Sequence, residues 1–348
     1  MRPAVFAIPG DITQKTGGYI YEHQLLLSLR AAGRRVDHLW LPGTFPNPTP
    51  AEMAASVAAL MAIPADTPLI LDGLVYGAIE TDGLAQVRAP IVGMIHHPLG
   101  LETGLPPARA QELLAREAAN LALAAHVVVP SPHTKRILVA DFGVPADRIS
   151  IALPGFARPD PVRTPTTPPL ILSIGLLAAR KGHDTLLSAL ARITDLDWQA
   201  QIVGGTHDAA VAAALHSQCR ALGLEDRVRF AGLLDDATLR DRYRSASVFA
   251  LATRYEGYGM VFSEAMLFGL PIVTCATGAV PETVPPEAGL LVPVDDAEAF
   301  GQAIRRLLTD QALRDGMAQA SARLGQSLPS WQDTAAIMGQ VLDTVPLG

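Results

Sequence analysis

The sequence predicts an α/β protein with two domains, each built on a doubly wound parallel sheet. Short apolar runs alternate with amphipathic segments of helical period along the whole chain, a pattern typical of parallel sheets with helices on both faces. The 348 residues exceed what one hydrophobic core usually supports. Residues 158–169 contain five prolines, which exclude a helix and a central strand there. That segment is therefore predicted to link the two domains.

This linker divides the chain into an N-terminal domain, residues 1–160, and a C-terminal domain, residues 161–329. The last segment, residues 330–348, is predicted to form a helix after Pro329 that packs back on the first domain. The first domain is predicted to hold strands at 4–8, 36–39, 69–71, 91–95, 127–129 and 149–152. The second is predicted to hold strands at 170–174, 198–203, 228–230, 248–251, 272–274 and 289–292.

The composition excludes several classes of protein. Hydrophobic residues make up 49% and charged residues 18%, values typical of a well-buried globular chain. The net charge of −7 argues against a nucleic acid partner. No apolar run is long enough to span a membrane, and the first nine residues fit a strand better than a signal peptide. Cys219 and Cys275 lie far apart and are expected to be free thiols. We therefore expect a cytoplasmic protein, and peripheral contact with the inner face of a membrane stays open.

Two glutamates in the stretch from Arg254 to Val273 carry the main functional signal. Glu256 follows a buried strand, and Glu264 falls early in the next predicted helix, with seven residues between them. Ligands of open parallel sheets bind at this carboxyl edge of the strands. Gly257 and Gly259, with Tyr258 between them, would expose backbone amides that favour an anion at the helix start. The pattern predicts a site for a phosphate flanked by two sugars.

A second candidate follows strand 170–174. Arg180 and Lys181 precede a helix that starts at a glycine, so they could hold a diphosphate, although a solvated charge pair is the plain alternative. Gly204 follows another strand of the same domain and would place a second glycine beside that site. Asp195 and Asp197 precede a strand, at the opposite edge of the sheet, and are interpreted as a solvated turn.

In the first domain, Gly17 and Gly18 open the helix after strand 1, where amides can meet a phosphate. The alternative is an ordinary strand–helix turn, because the dinucleotide-binding glycine spacing is missing. His96 and His97 follow strand 91–95, again at a carboxyl edge. One histidine could face the site, or both could be structural. Adjacent histidines point in different directions and no carboxylate cluster accompanies them in sequence, so no metal site is expected.

Together these residues resemble the retaining glycosyltransferases of family 4, across nearly the whole chain. The resemblance implies the GT-B fold, in which two Rossmann-like domains face each other across a cleft. The motifs that carry it are Glu256–Glu264 with Gly257, Gly259, Ala265, Gly269 and Pro271; Lys181–Gly182; Gly17–Gly18; His96 or His97; Pro154–Gly155; Gly278–Glu282; and Gly289–Asp295. One departure stands out, because the family usually places an arginine where this chain has Leu176.

The resemblance implies a role for each matched residue. Glu264 would bind the nucleotide ribose, and Glu256 the hydroxyls of the donor sugar. Lys181, alone or together with Arg180, would neutralise the departing diphosphate. The cleft histidine, of which His96 is the better candidate, would contact the donor sugar near its reacting carbon. No metal or other cofactor is implied, and retention would follow front-face attack in which a phosphate oxygen takes the acceptor's proton.

The expected function is that of a glycosyltransferase of the hexosyltransferase class, moving a sugar from a nucleotide diphosphosugar to an acceptor hydroxyl. This chemistry serves carbohydrate or glycolipid biosynthesis. The alternatives are a nucleotide-sugar-binding protein that has lost turnover, which Leu176 favours, and a sugar phosphorylase. The acceptor, whether lipid, glycan or small molecule, is expected to meet the first domain near residues 99–105 and the helix predicted over 107–124.

Overall fold

The computed structural model describes residues 1–102, 104–159 and 162–347. Within these residues the strands form two six-stranded sheets, and every strand pair is parallel. The predicted α/β class is therefore confirmed. Each of the predicted strands is present, and its ends differ from the prediction by at most two residues.

The chain divides into two compact units, of which the first comprises Met1–Ala157 and Pro329–Gly348 and the second Arg158–Leu328. The last helix is thus part of the first unit. Asp160 and Pro161, where the sequence sets the boundary between the domains, lie outside the described residues, as does Thr103 in the segment expected to meet the acceptor.

The first unit has the sheet order β2-β1-β3-β4-β5-β6. Its strands are β1 (Ala4–Pro9), β2 (Val36–Leu41), β3 (Leu69–Asp72), β4 (Ile91–Met94), β5 (His126–Val129) and β6 (Ile149–Ile151). Its helices are α1 (Gly17–Ala31), α2 (Pro50–Met61), α3 (Gly73–Tyr76), α4 (Thr81–Leu84), α5 (Pro107–Leu123), α6 (Pro132–Ala140) and, from the C-terminal segment, α14 (Trp331–Thr344). The order reverses between β1 and β3, which places a topological switch point at their carboxyl ends.

Helix α14 joins the first unit through α1. Ser330 and Asp333 form a capping box that starts α14. Arg34, which follows α1, pairs with Asp343 at 2.7 Å. The Tyr21 ring of α1 meets the Trp331 ring edge-to-face at 5.5 Å, so apolar contact and an ion pair together fix the two helices.

The second unit has the sheet order β12-β11-β10-β7-β8-β9. Its strands are β7 (Leu170–Ile174), β8 (Gln199–Val203), β9 (Val228–Gly232), β10 (Ala246–Leu251), β11 (Ile272–Cys275) and β12 (Gly289–Val292). Its helices are α7 (His183–Leu190), α8 (Ala209–Ala221), α9 (Asp236–Ser245), α10 (Met260–Leu267), α11 (Val280–Thr283), α12 (Ala297–Thr309) and α13 (Gln311–Ser327). Here the switch point lies between the neighbouring central strands β7 and β10.

The core of the second unit lies between the sheet and α7, α8 and α12. Trp198 and Phe300 are the largest buried side chains of this core. The Trp198 indole donates a hydrogen bond to the Ile193 carbonyl at 2.8 Å. Asp195 forms a surface ion pair with Arg305 at 2.6 Å, which fits the solvated turn expected of it. Cys219 and Cys275 are buried free thiols.

Across the part of the chain that the structure describes, no helix has both the length and the apolar character needed to cross a membrane.

Candidate active site

The residues with the strongest sequence signal meet at the switch point of the second unit. The chain leaves β7 at Ile174 and reaches Arg180 and Lys181, whereas it leaves β10 at Leu251 and reaches Glu256. The Lys181 Nζ atom lies 2.7 Å from Glu256 Oε1, and an Arg180 guanidinium nitrogen lies 3.6 Å from Glu256 Oε2. Two cations from one loop therefore flank one carboxylate from the next.

Backbone contacts hold the two loops against each other. The Arg254 amide donates to the Arg180 carbonyl at 2.8 Å, and the Arg180 guanidinium donates to the Tyr255 carbonyl at 3.1 Å. Gly182, between Lys181 and α7, has a φ of 64°, and an added Cβ would lie 1.8 Å from the Ala252 carbonyl oxygen. Only glycine allows this approach, so Gly182 determines how closely the cations lie to Glu256.

The surroundings keep Glu256 ionised. Its side chain is 8% exposed, and burial alone would raise its pKa. The charges of Lys181 and Arg180 and hydrogen bonds from Lys181 and Thr253 outweigh burial, so the pKa of Glu256 falls below its ordinary value. The cluster of one carboxylate and two cations carries one net positive charge, which favours an anionic ligand.

Arg254 connects the elements around this site through ion pairs, a role that was not predicted from the sequence. Its guanidinium pairs with Asp184 at 2.7 Å and with Asp295 at 2.8 Å, and so ties the loop after β10 to α7 and to the loop after β12. Asp295 has a φ of 61°, which is unusual for a residue other than glycine. The signal was not visible in sequence because the three residues come from separate elements, two loops and the start of α7.

Glu264 lies on α10, the helix that follows the glycine loop. The Tyr243 hydroxyl of α9 donates to Glu264 Oε2 at 2.6 Å, and the Tyr243 ring stacks on Phe268 at 4.9 Å. Burial raises the pKa of Glu264, and the Tyr243 hydrogen bond lowers it by less. Tyr243 was not predicted as a site residue. Its hydroxyl occupies one carboxylate oxygen, so a ligand would meet the other.

The glycine loop between Glu256 and α10 contains Gly257, Tyr258 and Gly259. Gly259 is the N-cap of α10 with a φ of 86°, and an added Cβ would lie 2.6 Å from the Phe262 ring. The Tyr258 hydroxyl lies 3.0 Å from the Ser263 hydroxyl, and the Thr283 hydroxyl donates to the Tyr258 carbonyl at 2.7 Å. Side-chain contacts from α10 and α11 thus hold the loop's shape.

Gly204 follows β8 and packs on the loop after β7. An added Cβ there would lie 1.9 Å from the Gly175 carbonyl oxygen. The structure therefore gives a packing reason for a glycine at position 204, because it lies against Gly175 at the start of the loop that carries Arg180 and Lys181.

In the first unit, Gly18 and His96 are neighbours. A Cβ added to Gly18 would lie 3.6 Å from the His96 ring, whereas one added to Gly17 would meet open space. The His96 ring meets the Tyr21 ring edge-to-face at 5.1 Å. His96 thus contacts the helix opened by Gly17 and Gly18.

Two buried carboxylates that the sequence analysis did not consider lie beside His96. The His96 Nε2 atom lies 3.4 Å from Glu22 Oε1, and the donor atoms of Glu22, Asp72 and His96 all lie within 4.8 Å of one another. A metal ion or a shared proton could occupy this spacing. One signal was available in sequence, because Asp72 directly follows an apolar strand and so falls at the same sheet edge as His96.

Part of the chain matches a family of known proteins. A protein-family model described as "Glycosyl transferases group 1" matches residues 158–324. D-inositol 3-phosphate glycosyltransferase of Kineococcus radiotolerans is 27% identical over 362 residues, covering 94% of this chain and 75% of the relative. Mannosylfructose-phosphate synthase of Agrobacterium fabrum is 28% identical over 229 residues, covering 60% of this chain and 50% of the relative. The chain spans about half the length of the first curated relatives it matches.

Solved structures give the fold. Sucrose-phosphate synthase from Thermosynechococcus elongatus matches with a TM-score of 0.83 and 26% identity, over 99% of this chain and 98% of that chain. Together with the two parallel sheets, this match confirms the predicted GT-B fold. The match to the glycosyl transferases group 1 model thus covers residues 158–324, which make up most of the second unit.

Proposed function

We propose that the protein transfers a sugar from a nucleotide diphosphosugar to an acceptor hydroxyl, without a metal ion and with retention of the anomeric configuration. The observation that carries this proposal is Glu256 held between Lys181 and Arg180 at the switch point of the second unit. A carboxylate beside two cations can bind a neutral polyhydroxyl group and a diphosphate next to each other.

Lys181 and Arg180 are the groups proposed to bind the donor diphosphate. Negative charge grows on the leaving diphosphate during transfer, and cations already in place stabilise that charge without reorganisation. Arg180 would replace the family arginine missing at Leu176, since its guanidinium already lies 3.6 Å from Glu256. Two side-chain cations can supply the stabilisation that a metal ion supplies in other transferases.

The two glutamates are proposed to bind the hydroxyl groups on either side of the diphosphate. Glu256 is ionised and can only accept hydrogen bonds, which suits the hydroxyls of the donor sugar. Glu264 has one oxygen bonded to Tyr243 and would offer the other to the ribose. The Gly257–Gly259 loop, with Tyr258, would let the phosphates approach the start of α10.

His96 is proposed as the catalytic residue of the first unit, near the reacting carbon of the sugar, with Gly17 and Gly18 beside the phosphates. The acceptor's proton would pass to a leaving phosphate oxygen, so the protein need not supply a second carboxylate as base. This mechanism rests on the resemblance to retaining family members.

The acceptor is open to test as a lipid, a glycan or a small molecule. Phosphorylated small molecules are the first class to try, because the names of all three compared relatives contain an inositol phosphate, a mannosylfructose phosphate or a sucrose phosphate. To test this proposal, the protein is incubated in EDTA with UDP-, GDP- and ADP-sugars and a panel of sugar and inositol phosphates. NMR of the product then reads the anomeric configuration.

Each outcome has a clear meaning. A product with the donor's configuration, formed in EDTA, supports the proposal, whereas an inverted product or a strict need for magnesium contradicts it. Binding of a nucleotide sugar without any turnover would favour the second candidate, a binding protein without transferase activity, which the Leu176 departure suggests. Turnover only in the presence of inorganic phosphate would indicate a phosphorylase.

A further inference from the structure

Three side chains near the carboxyl ends of three neighbouring strands of the first unit meet at one point. Glu22 lies on α1 after β1, Asp72 ends β3, and His96 follows β4. Because β1, β3 and β4 are adjacent in the sheet, their carboxyl ends bring these side chains together. The cluster lies outside the donor-binding residues of the second unit, and the proposed function gives no role to Glu22 or Asp72.

The charges of this cluster do not balance if both carboxyl groups are ionised. Glu22 is 1% exposed and Asp72 is 4% exposed. Among the described residues, neither carboxylate forms an ion pair with a lysine or an arginine. The two carboxyl groups also act on neighbouring phenols, Glu22 on those of Tyr19 and Tyr21 and Asp72 on that of Tyr19, and the ring of Trp331 beside Tyr21 is uncharged. Two buried negative charges without a cation are costly, so the pair should hold a proton.

The hydrogen bonds indicate where that proton lies. Asp72 Oδ1 accepts the Leu74 amide at 2.8 Å, which leaves Oδ2 to carry a proton. In the described part of the chain, no N–H or hydroxyl group donates to either carboxylate oxygen of Glu22. Burial raises the pKa of both carboxyl groups, and repulsion from Glu22 raises the pKa of Asp72 further. Asp72, whose pKa is raised by Glu22 as well as by burial, is thus the member of the pair better placed to carry the proton.

We propose that Glu22 is a positioning residue for His96, an inference that rests on the proposed function for the part His96 plays in transfer. The Glu22–Asp72 pair holds one proton, which stays on Asp72 and forms a hydrogen bond to Glu22. Glu22 therefore keeps its negative charge, and that charge faces His96. That charge favours the tautomer with the proton on Nε2, towards Glu22 Oε1, and makes Nδ1 the acceptor nitrogen available to a substrate.

The contact between His96 and Glu22 is long for a hydrogen bond. The 3.4 Å separation of Nε2 and Oε1 is an ion-pair distance without hydrogen-bond alignment, and catalytic contacts often shorten only when substrate binds. A divalent cation held by the same three side chains is the competing occupant. The proton is favoured because the Leu74 amide already bonds Asp72 Oδ1.

The test is ¹⁵N-histidine NMR of the full chain across pH, with the His96 signals identified by their loss in His96→Ala. The parent should show the Nε2–H tautomer at neutral pH. Glu22→Gln should abolish that preference and lower the His96 titration midpoint by about one pH unit, because a nearby negative charge is removed. Asp72→Asn should keep the tautomer, because an amide replaces only the neutral partner. Glu117→Gln, a buried carboxyl group on α5, is the matched control and should leave the His96 signals unchanged.

Activity provides the second readout. If the parent turns over UDP-glucose or GDP-mannose, Glu22→Gln should lower kcat about tenfold with little change in KM, as expected for the loss of a partner that orients a catalytic histidine. A parent that turns over no nucleotide sugar would count against the proposed function alone, since the tautomer still tests the Glu22–His96 pairing.

Two results would overturn the inference. One is an unchanged His96 tautomer and midpoint in a folded Glu22→Gln variant. The other is one equivalent of a divalent metal that survives dialysis of the parent and is lost from Glu22→Gln. If Glu22→Gln does not fold, ¹³C-carboxyl NMR of the parent decides the question, because the pair must retain one proton at pH 7.

Discussion

The Lys181 Nζ atom lies 2.7 Å from Glu256 Oε1, so a lysine from the loop after β7 neutralises a glutamate from the loop after β10. Both side chains are largely buried, at 12% and 8% exposed. In a buried pair the loss of one partner leaves the other as an uncompensated charge. The same contact therefore links the stability of the second unit to its proposed chemistry.

Lys181→Met should lower kcat about 100-fold or more, because a cation that stabilises the leaving diphosphate is lost. The variant should also unfold more easily, although Arg180 still faces Glu256 and limits the loss. Steady-state kinetics and urea unfolding measure the two effects. Arg220→Met, which removes an exposed cation on α8, is the control and should change neither. An active Lys181→Met would remove this lysine from the mechanism.

Gly182→Ala should disrupt the loop that carries Arg180 and Lys181, because the added Cβ would collide with the Ala252 carbonyl. Gly223 is a matched control, since its φ of 66° is close to the 64° of Gly182 and an added Cβ there meets nothing within 4 Å. Both alanine variants carry the backbone strain of about 1 kcal/mol, and only Gly182→Ala adds the collision. Nucleotide binding should therefore fall in Gly182→Ala and persist in Gly223→Ala. Equal effects in both would show that the close approach is unimportant.

Tyr243→Phe should weaken nucleotide binding about tenfold while the protein keeps its fold. The substitution removes the 2.6 Å hydrogen bond that orients Glu264, and it keeps the ring that stacks on Phe268. Calorimetric titration with the preferred nucleoside diphosphate measures the change. Glu264→Gln should weaken binding at least as much. Binding unchanged in both variants would contradict the ribose role of Glu264.

Glu117→Gln should stabilise the first unit increasingly as pH rises. Burial raises the pKa of Glu117 to about 8, while its hydrogen bond from the Leu99 amide lowers it by less. In this pH range a carboxyl group with a raised folded-state pKa is protonated in the folded protein and ionised in the unfolded chain. The unmodified protein therefore loses stability as pH rises from the unfolded pKa of about 4.3 to the folded pKa of about 8. The loss is at most about 1.4 kcal/mol per pH unit. Unfolding free energies of both proteins across this range should diverge with pH; parallel curves would contradict the raised pKa.

The fold could be predicted from sequence because its signals are local. Apolar runs bounded by turn residues marked every strand, and the prolines after Arg158 marked the change from one sheet to the next. Glu256 and Lys181 were recognisable because each follows a strand at a sheet edge. Their contact depends on β7 and β10 being neighbours, which requires the order of the sheet.

The residues that were missed act through partners far along the chain. Arg254 pairs with aspartates 70 and 41 residues away, and Tyr243 reaches Glu264 from the preceding helix. Glu22 looks in sequence like an ordinary polar residue of α1. Its burial beside Asp72 becomes visible only when three strands are placed side by side.

The proposed function depends on Lys181, Arg180 and Glu256 forming a diphosphate donor site that needs no metal. The deciding experiment is calorimetric titration with UDP, GDP, ADP and CMP, in EDTA and then with magnesium, with Lys181→Met titrated in parallel. We predict that one nucleoside diphosphate binds in EDTA, that magnesium changes its Kd little, and that Lys181→Met weakens its binding about tenfold or more. Absence of binding by every nucleotide in EDTA, or equal binding by Lys181→Met, would contradict it.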